Sequence, residues 1–265
     1  MKRPKGNGSR EEGQPDPSAS PFPGAARAGR GRRRKESQED LWEEGGSADL
    51  FRAERELLLR GFRRIAGIDE AGRGPLAGPV VAAAVVLAPG LCYEGLTDSK
   101  QLTARERESW FERISATAVD YGIATVTHEQ IDLLNIVVAT RKAMEMAVAR
   151  LSCQPDYLLI DGIFPLQTRI EQRCIKHGDR RSHSIAAASV LAKVTRDRLM
   201  EAFHAEYPQY RFDQNKGYAT LDHREALRKF GFCPLHRRSF HGVKETLDPE
   251  ATLLETPVPL PARRT

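Results

Sequence analysis

Metal-binding cysteine patterns are missing from this 265-residue sequence. Cys92, Cys153, Cys174 and Cys233 stand far apart, with no CxxC and no Cys/His ligand spacing. Neither a zinc site nor a disulfide framework is indicated, and a reducing compartment fits. A long apolar run is missing too: the longest, Pro75 to Leu87, is too short to span a bilayer. No charged n-region followed by an apolar stretch opens the sequence, so a soluble, cytoplasmic protein is expected. An Arg-rich, Ser-containing start also fits an organelle transit peptide, but Glu11, Glu12, Asp16 and several prolines weaken that reading.

Positive charge is scarce once the first residues are set aside. The formal charge is +5 and the pI about 9.1. Residues 1–35 hold ten Lys and Arg against three acids, a net of +7, so the remainder carries −2. Residues 1–46, rich in Gly, Pro, Ser and Arg, lack the apolar side chains to offset ordering entropy and are expected to be a disordered basic extension. It reads equally as a solvated tail or as a non-specific nucleic-acid arm. Residues 248–265 are Pro-rich and are expected to be disordered as well.

Between them, residues 47–247 are long enough for one core with a small appended part. Ser47 is read as the cap of a helix to Arg60, Ile65 to Asp69 as a strand, and Val80 to Leu87 as a strand covered on both faces. Thr103-Ala-Arg-Glu106 is a capping box that starts a helix carrying Trp110, Phe111, Ile114 and Ala118 up to Tyr121-Gly122. Thr127 to Gln130 is a second box, and Asn135 caps a helix with Val137, Met144, Val148 and Leu151 on one face. Strands at Tyr157–Ile160 and Arg169–Ile175, then helices at Ser184–Tyr207 and His223–Phe230, complete an α/β pattern with a helical C-terminal part.

Chemistry is concentrated in acids at strand ends: Asp69 and Glu70, Asp161, and Asp179. Acids are disfavoured beside apolar strands unless something positive compensates them. Hard cations take oxygen ligands, and two of them roughly 4 Å apart assist phosphodiester hydrolysis, so this set suits Mg²⁺ or Mn²⁺ better than zinc. For an isolated Asp a cap, a turn or a surface ion pair is the better explanation, but four acids at strand ends make it less so. Neighbours on a regular strand face opposite sides, so Asp69 and Glu70 share a site only if the strand bends or ends there, with Gly67 and Gly72 supplying the freedom.

Gly72-Arg73-Gly74 lacks GxGxxG spacing and a following helix start, which argues against a dinucleotide cofactor. It reads as a tight turn, or as a backbone that approaches a nucleic acid closely with Arg73 on a phosphate. Lys216-Gly217-Tyr218 offers a cation and an aromatic for phosphate contact and stacking, or merely a buried Tyr beside a turn. Ser189 and Lys193 stand at i, i+4 and imitate a nucleophile pair, but no oxyanion hole accompanies them and Lys193 suits a phosphate.

The run Ile65-Ala-Gly-Ile-Asp-Glu-Ala-Gly-Arg-Gly-Pro-Leu-Ala-Gly-Pro-Val80 resembles the signature of bacterial ribonuclease HII. Further blocks resemble the same family in the same order: Asp98-Ser99-Lys100-Gln-Leu102, Leu159 to Gly162, Lys176 to Asp179, Ser184 to Asp197, Lys216 to Tyr218 with His223, and His236 to Phe240. The resemblance implies a ribonuclease H-like mixed five-stranded sheet flanked by helices, with a helical C-terminal segment. It implies that Asp69, Glu70, Asp161 and Asp179 are catalytic carboxylates binding two Mg²⁺ or Mn²⁺ ions.

It also implies an endonuclease that cuts the RNA strand of RNA/DNA hybrids and nicks DNA 5′ of embedded ribonucleotides, leaving 3′-hydroxyl and 5′-phosphate ends. Gly72, Arg73 and Gly74 would read the 2′-hydroxyl and Tyr218 would stack on the adjoining deoxyribose, with Lys100, Ser189, Lys193 and Lys216 as further substrate contacts. Ala219, Gly242 and Arg180-Arg181 depart from the family pattern. A monomer is expected, and a sliding-clamp partner is left open. The rivals are a catalytically silent hybrid-binding protein, against which the intact acids argue, and a small-substrate phosphatase, which would not need Arg73, Lys216 or Tyr218.

Overall fold

Alternating apolar strands and capped helices give an α/β layer arrangement in the computed structural model, which describes residues 50–91, 93, 95–96 and 102–247. Expectations on residues 1–46, on Ser47 as a cap, on Lys100 and on residues 248–265 lie outside the described residues. The strands are β1 (Ile65–Ala71), β2 (Val80–Val86), β3 (Asp120–Val126), β4 (Tyr157–Asp161) and β5 (Glu171–Ile175). The helices are α1 (Arg52–Leu59), α2 (Ala104–Thr117), α3 (His128–Leu134), α4 (Ile136–Ala149), α5 (His183–Glu206), α6 (Phe212–Asn215), α7 (Leu221–Phe230) and α8 (Lys244–Leu247).

The strands form one mixed sheet in the order β3-β2-β1-β4-β5. β2 runs antiparallel to both β1 and β3, whereas β1, β4 and β5 are mutually parallel. The expected mixed five-stranded sheet is therefore present. In β2 every residue is buried, because successive side chains enter opposite layers. Val80, Ala82, Ala84 and Val86 meet Ala139, Ala143, Met144 and Ala147 of α4, while Ala83 and Val85 meet Ala186, Ala187, Val190 and Leu191 of α5.

Small residues let the helices approach closely. A Cβ on Gly67 would fall 2.1 Å from the Ser184 carbonyl carbon of α5, and one on Gly122 would fall 2.2 Å from the Ala147 oxygen of α4. Gly67 thus serves helix packing rather than the strand bend expected of it. Both capping boxes form, at Thr103 and Thr127, and the Asn135 side chain caps α4. Each such cap is worth roughly 1 kcal/mol.

Two local expectations are corrected, and one short helix is new. The helix expected to reach Tyr121-Gly122 ends at Thr117, and β3 follows; alternating burial of Gly122, Ala124 and Val126 carries that strand. The α4 face differs too: Val137 is 41% exposed, and the small residues Ala139, Ala143 and Ala147 are buried in its place. The short helix α6 had no sequence signal. Its Phe212 joins Leu76, Ala77, Met200, Tyr210 and Leu227 in a small core of the C-terminal segment, separate from the two layers around the sheet.

Candidate active site

The site begins where β1 leaves β4. Pairing between these strands ends at Ile68 with Ile160, one residue before Asp69 and Asp161 respectively. Both acids thus stand at the same end of adjacent parallel strands. β1 nonetheless continues through Ala71 alongside β2, so neither a strand end nor a bend separates Asp69 from Glu70. Asp69 instead folds its carboxylate back, and Oδ1 accepts the Glu70 amide at 2.7 Å. One carboxylate oxygen each from Asp69, Glu70 and Asp161 then lie within 4.8 Å of one another.

Asp161 is fixed by the Gly178 amide, which donates to Oδ1 at 2.6 Å. Asp179 follows in a 3-10 turn, Gly178–Arg180, and is buried, but its carboxylate is not part of the close trio. The four expected acids therefore divide into three that converge and one on the adjoining turn.

Gathering three acids out of water is unfavourable for their charges. Burial first, then the negative charges of Glu70 and Asp161, raise the Asp69 carboxyl well above its ordinary range, although hydrogen bonds from the Ser189 hydroxyl and the Glu70 amide oppose this. Burial also raises Glu70, opposed by Arg73, whose Nη1 lies 3.2 Å from Oε1. Among the described residues, Glu70 Oε2 is buried without a hydrogen-bond partner. Such a set fits a divalent cation by donor chemistry: clustered hard oxygens, excess negative charge and an open acceptor.

Asp69, Glu70 and Asp161 line a cleft of about 250 Å³ together with Gly72, Arg73, Gly74, Ser189, Lys193 and Tyr218. Most of the residues expected to contact substrate are thus brought to one place. Tyr218 is 44% exposed. Ser189 and Lys193 are not a nucleophile pair, because the hydroxyl is turned to Asp69 and Lys193 Nζ lies 2.5 Å from Asp197 Oδ1. Lys216 does not line the cleft; its Nζ lies 2.7 Å from Glu201 Oε1.

Two arginines that sequence reasoning gave no role hold the cleft's loops. Arg237 is 0% exposed and donates to the carbonyls of Gly72, Arg73 and Gly78. Arg196, 1% exposed, donates to the carbonyls of Ala77, Pro79 and Lys216. It fills the space a side chain on Gly72 would need, since a Cβ there would fall 2.1 Å from Arg196 Nε. Gly72 also has φ 96°, a conformation glycine reaches without steric cost. Burial and the neighbouring Arg196 lower Arg237 to about 9, so it is still protonated at neutral pH.

The family model described as ribonuclease HII matches residues 66–243. A ribonuclease HII of Syntrophotalea carbinolica is 54% identical over 194 residues, covering 73% of this chain and 93% of that protein. A ribonuclease HII of Geobacillus kaustophilus is 53% identical over 222 residues, covering 84% of this chain and 83% of its own. Among solved structures, the ribonuclease H2 from Pyrococcus horikoshii is similar with a TM-score of 0.61 and 27% identity, covering 69% of this chain and 96% of that one.

Proposed function

Since the chain belongs to the ribonuclease HII family of endonucleases acting on RNA/DNA hybrids, we propose that it nicks duplexes on the 5′ side of a ribonucleotide by a two-metal-ion mechanism, leaving 3′-hydroxyl and 5′-phosphate ends. Residues 47–247 form the catalytic part and act as a monomer. The observation that carries this reading is the meeting of three carboxylates in a cleft also lined by Gly72, Arg73, Gly74 and Tyr218.

Asp69, Glu70 and Asp161, with Asp179 from the adjoining turn, would hold two Mg²⁺ or Mn²⁺ ions. When bound, the ions lower the pKa of a water and balance negative charge on the attacking and leaving oxygens. The water gives up a proton to solvent as its oxygen bonds to phosphorus, the bond from phosphorus to the upstream O3′ breaks, and that oxygen leaves as a hydroxyl with a proton from solvent. Ser189 holds Asp69 in place and Gly178 holds Asp161. The Gly72–Gly74 backbone, clasped by Arg237, reads the 2′-hydroxyl, which distinguishes RNA from DNA. The Tyr218 ring stacks on the deoxyribose beside it.

A duplex carrying one ribonucleotide, incubated with Mg²⁺, Mn²⁺ or chelator, tests the proposal. A metal-dependent nick beside the ribonucleotide is expected, lost in Asp69→Asn and in Asp161→Asn while hybrid binding persists. An uncut duplex in the wild-type reaction would falsify it. Tyr218→Ala is expected to impair single-ribonucleotide cutting more than metal binding, and equal loss of both would remove the recognition role.

A further inference from the structure

Within the small C-terminal core, two imidazoles meet. His223, in the first turn of α7, and His236, in the loop beyond it, are 0% and 1% exposed, and their Nε2 atoms lie 3.0 Å apart. Tyr210 and Phe212 pack against both rings. Burial keeps both histidines below their ordinary range, His236 at about 4, so at neutral pH each ring carries a single N–H.

The two ends of this pair are chemically fixed. His223 Nδ1 lies 2.8 Å from the Tyr218 carbonyl oxygen, which only accepts. His236 Nδ1 lies 2.9 Å from the Cys233 backbone nitrogen, which only donates. His223 must then bear its hydrogen on Nδ1, leaving Nε2 as an acceptor. His236 must bear its own on Nε2, which donates to His223, and its Nδ1 accepts from Cys233. The reverse assignment would set two lone pairs against each other at 2.8 Å and two N–H groups at 2.9 Å. The Cys233 Sγ and carbonyl oxygen, 3.2 and 3.3 Å from His236 Nδ1, are the more distant contacts, and the thiol can donate to the same acceptor. All three hydrogen bonds therefore point one way, from Cys233 to Tyr218.

Tyr218 needs such an anchor. It follows Lys216 and Gly217, with φ of 50° and 83°, so its backbone leaves a left-handed turn while its ring stands half exposed in the cleft. Its carbonyl accepts from Thr220 as well, at 2.8 Å. We propose that His223 and His236 are positioning residues, a one-way hydrogen-bond relay that fixes the Tyr218 backbone so that its ring meets the sugar at the RNA-DNA junction. The relay's purpose rests on the reading of Tyr218 given above.

Nitrogen-15 spectra of the histidine rings in the full chain test the relay directly. His223 is expected with Nδ1 protonated and Nε2 bare, and His236 with the opposite pattern; reversed patterns, or a doubly protonated ring at neutral pH, overturn it. Its purpose is tested by kinetics on the single-ribonucleotide duplex. His223→Leu is expected to raise KM about tenfold with kcat within about twofold, as for loss of one hydrogen bond. His223→Asn, whose amide N–H replaces the Nδ1 donor, is expected to recover most of that loss. A folded His223→Leu enzyme with unchanged KM overturns the positioning role if Tyr218→Ala is impaired. A Tyr218→Ala enzyme with unchanged KM overturns the reading of Tyr218 itself, whatever the spectra show.

Discussion

Asp69 carries a charge in a place that disfavours it. It is 5% exposed, and two further carboxylates crowd it. A carboxyl whose proton affinity is raised on folding holds more protons folded than unfolded at mildly acidic pH, so stability falls as pH rises through that window. With chelator present, the melting temperature is therefore expected to fall from mildly acidic to neutral pH through this group, and less so in Asp69→Asn. At neutral pH without divalent ions, Asp69→Asn is expected to melt a few degrees above the wild type, since about 1 kcal/mol shifts a domain of this size by roughly 2–4 °C. Calorimetric scans check both, and a lower melting temperature for the variant would refute the account. At this scale much of the site was legible: acids at strand ends pointed to cations. Illegible were the return of the Asp69 side chain to its neighbour's amide, a rotamer choice that residue types do not reveal, and the guanidinium clasps, which depend on loops far apart in sequence.

Among the elements, α5 controls the geometry, because it lies over β1 and brings Ser189 to Asp69. The closest approach is at Gly67, where a methyl group would overlap the Ser184 backbone. Gly67→Ala is expected to destabilise the fold by about 1–3 kcal/mol, as overpacking does, and to reduce cutting by displacing the helix. Denaturant titration checks the first effect, and an unchanged midpoint would show that α5 yields without cost. Strands flanked by strong turn residues, such as β2 and β4, were legible because continuous burial leaves a continuous apolar run. β3 was not. Its Asp120-Tyr121-Gly122 start breaks the apolar pattern, and Gly122 is there to admit the α4 backbone rather than to end a helix.

For the whole molecule, the sign of charge divides along the chain: residues 1–35 carry +7 and the remainder −2. If the basic stretch touches phosphates, deleting residues 1–45 makes log binding constant fall less steeply with log salt, by nearly one unit of slope for each phosphate the stretch neutralises. An unchanged slope would assign binding to the rest of the chain.

The guanidinium of Arg237 has a further meaning when followed along the order of synthesis. All four acids have been made by residue 179, yet the clamp on the Gly72–Gly74 loop comes 58 residues later, from the far side of α7. A nascent or clipped polypeptide ending before Arg237 would carry the four acids without the side chain that holds the Gly72–Gly74 loop. On the proposed reading of that loop, discrimination between RNA and DNA waits for Arg237 to be made and goes when trimming from the carboxyl end removes it.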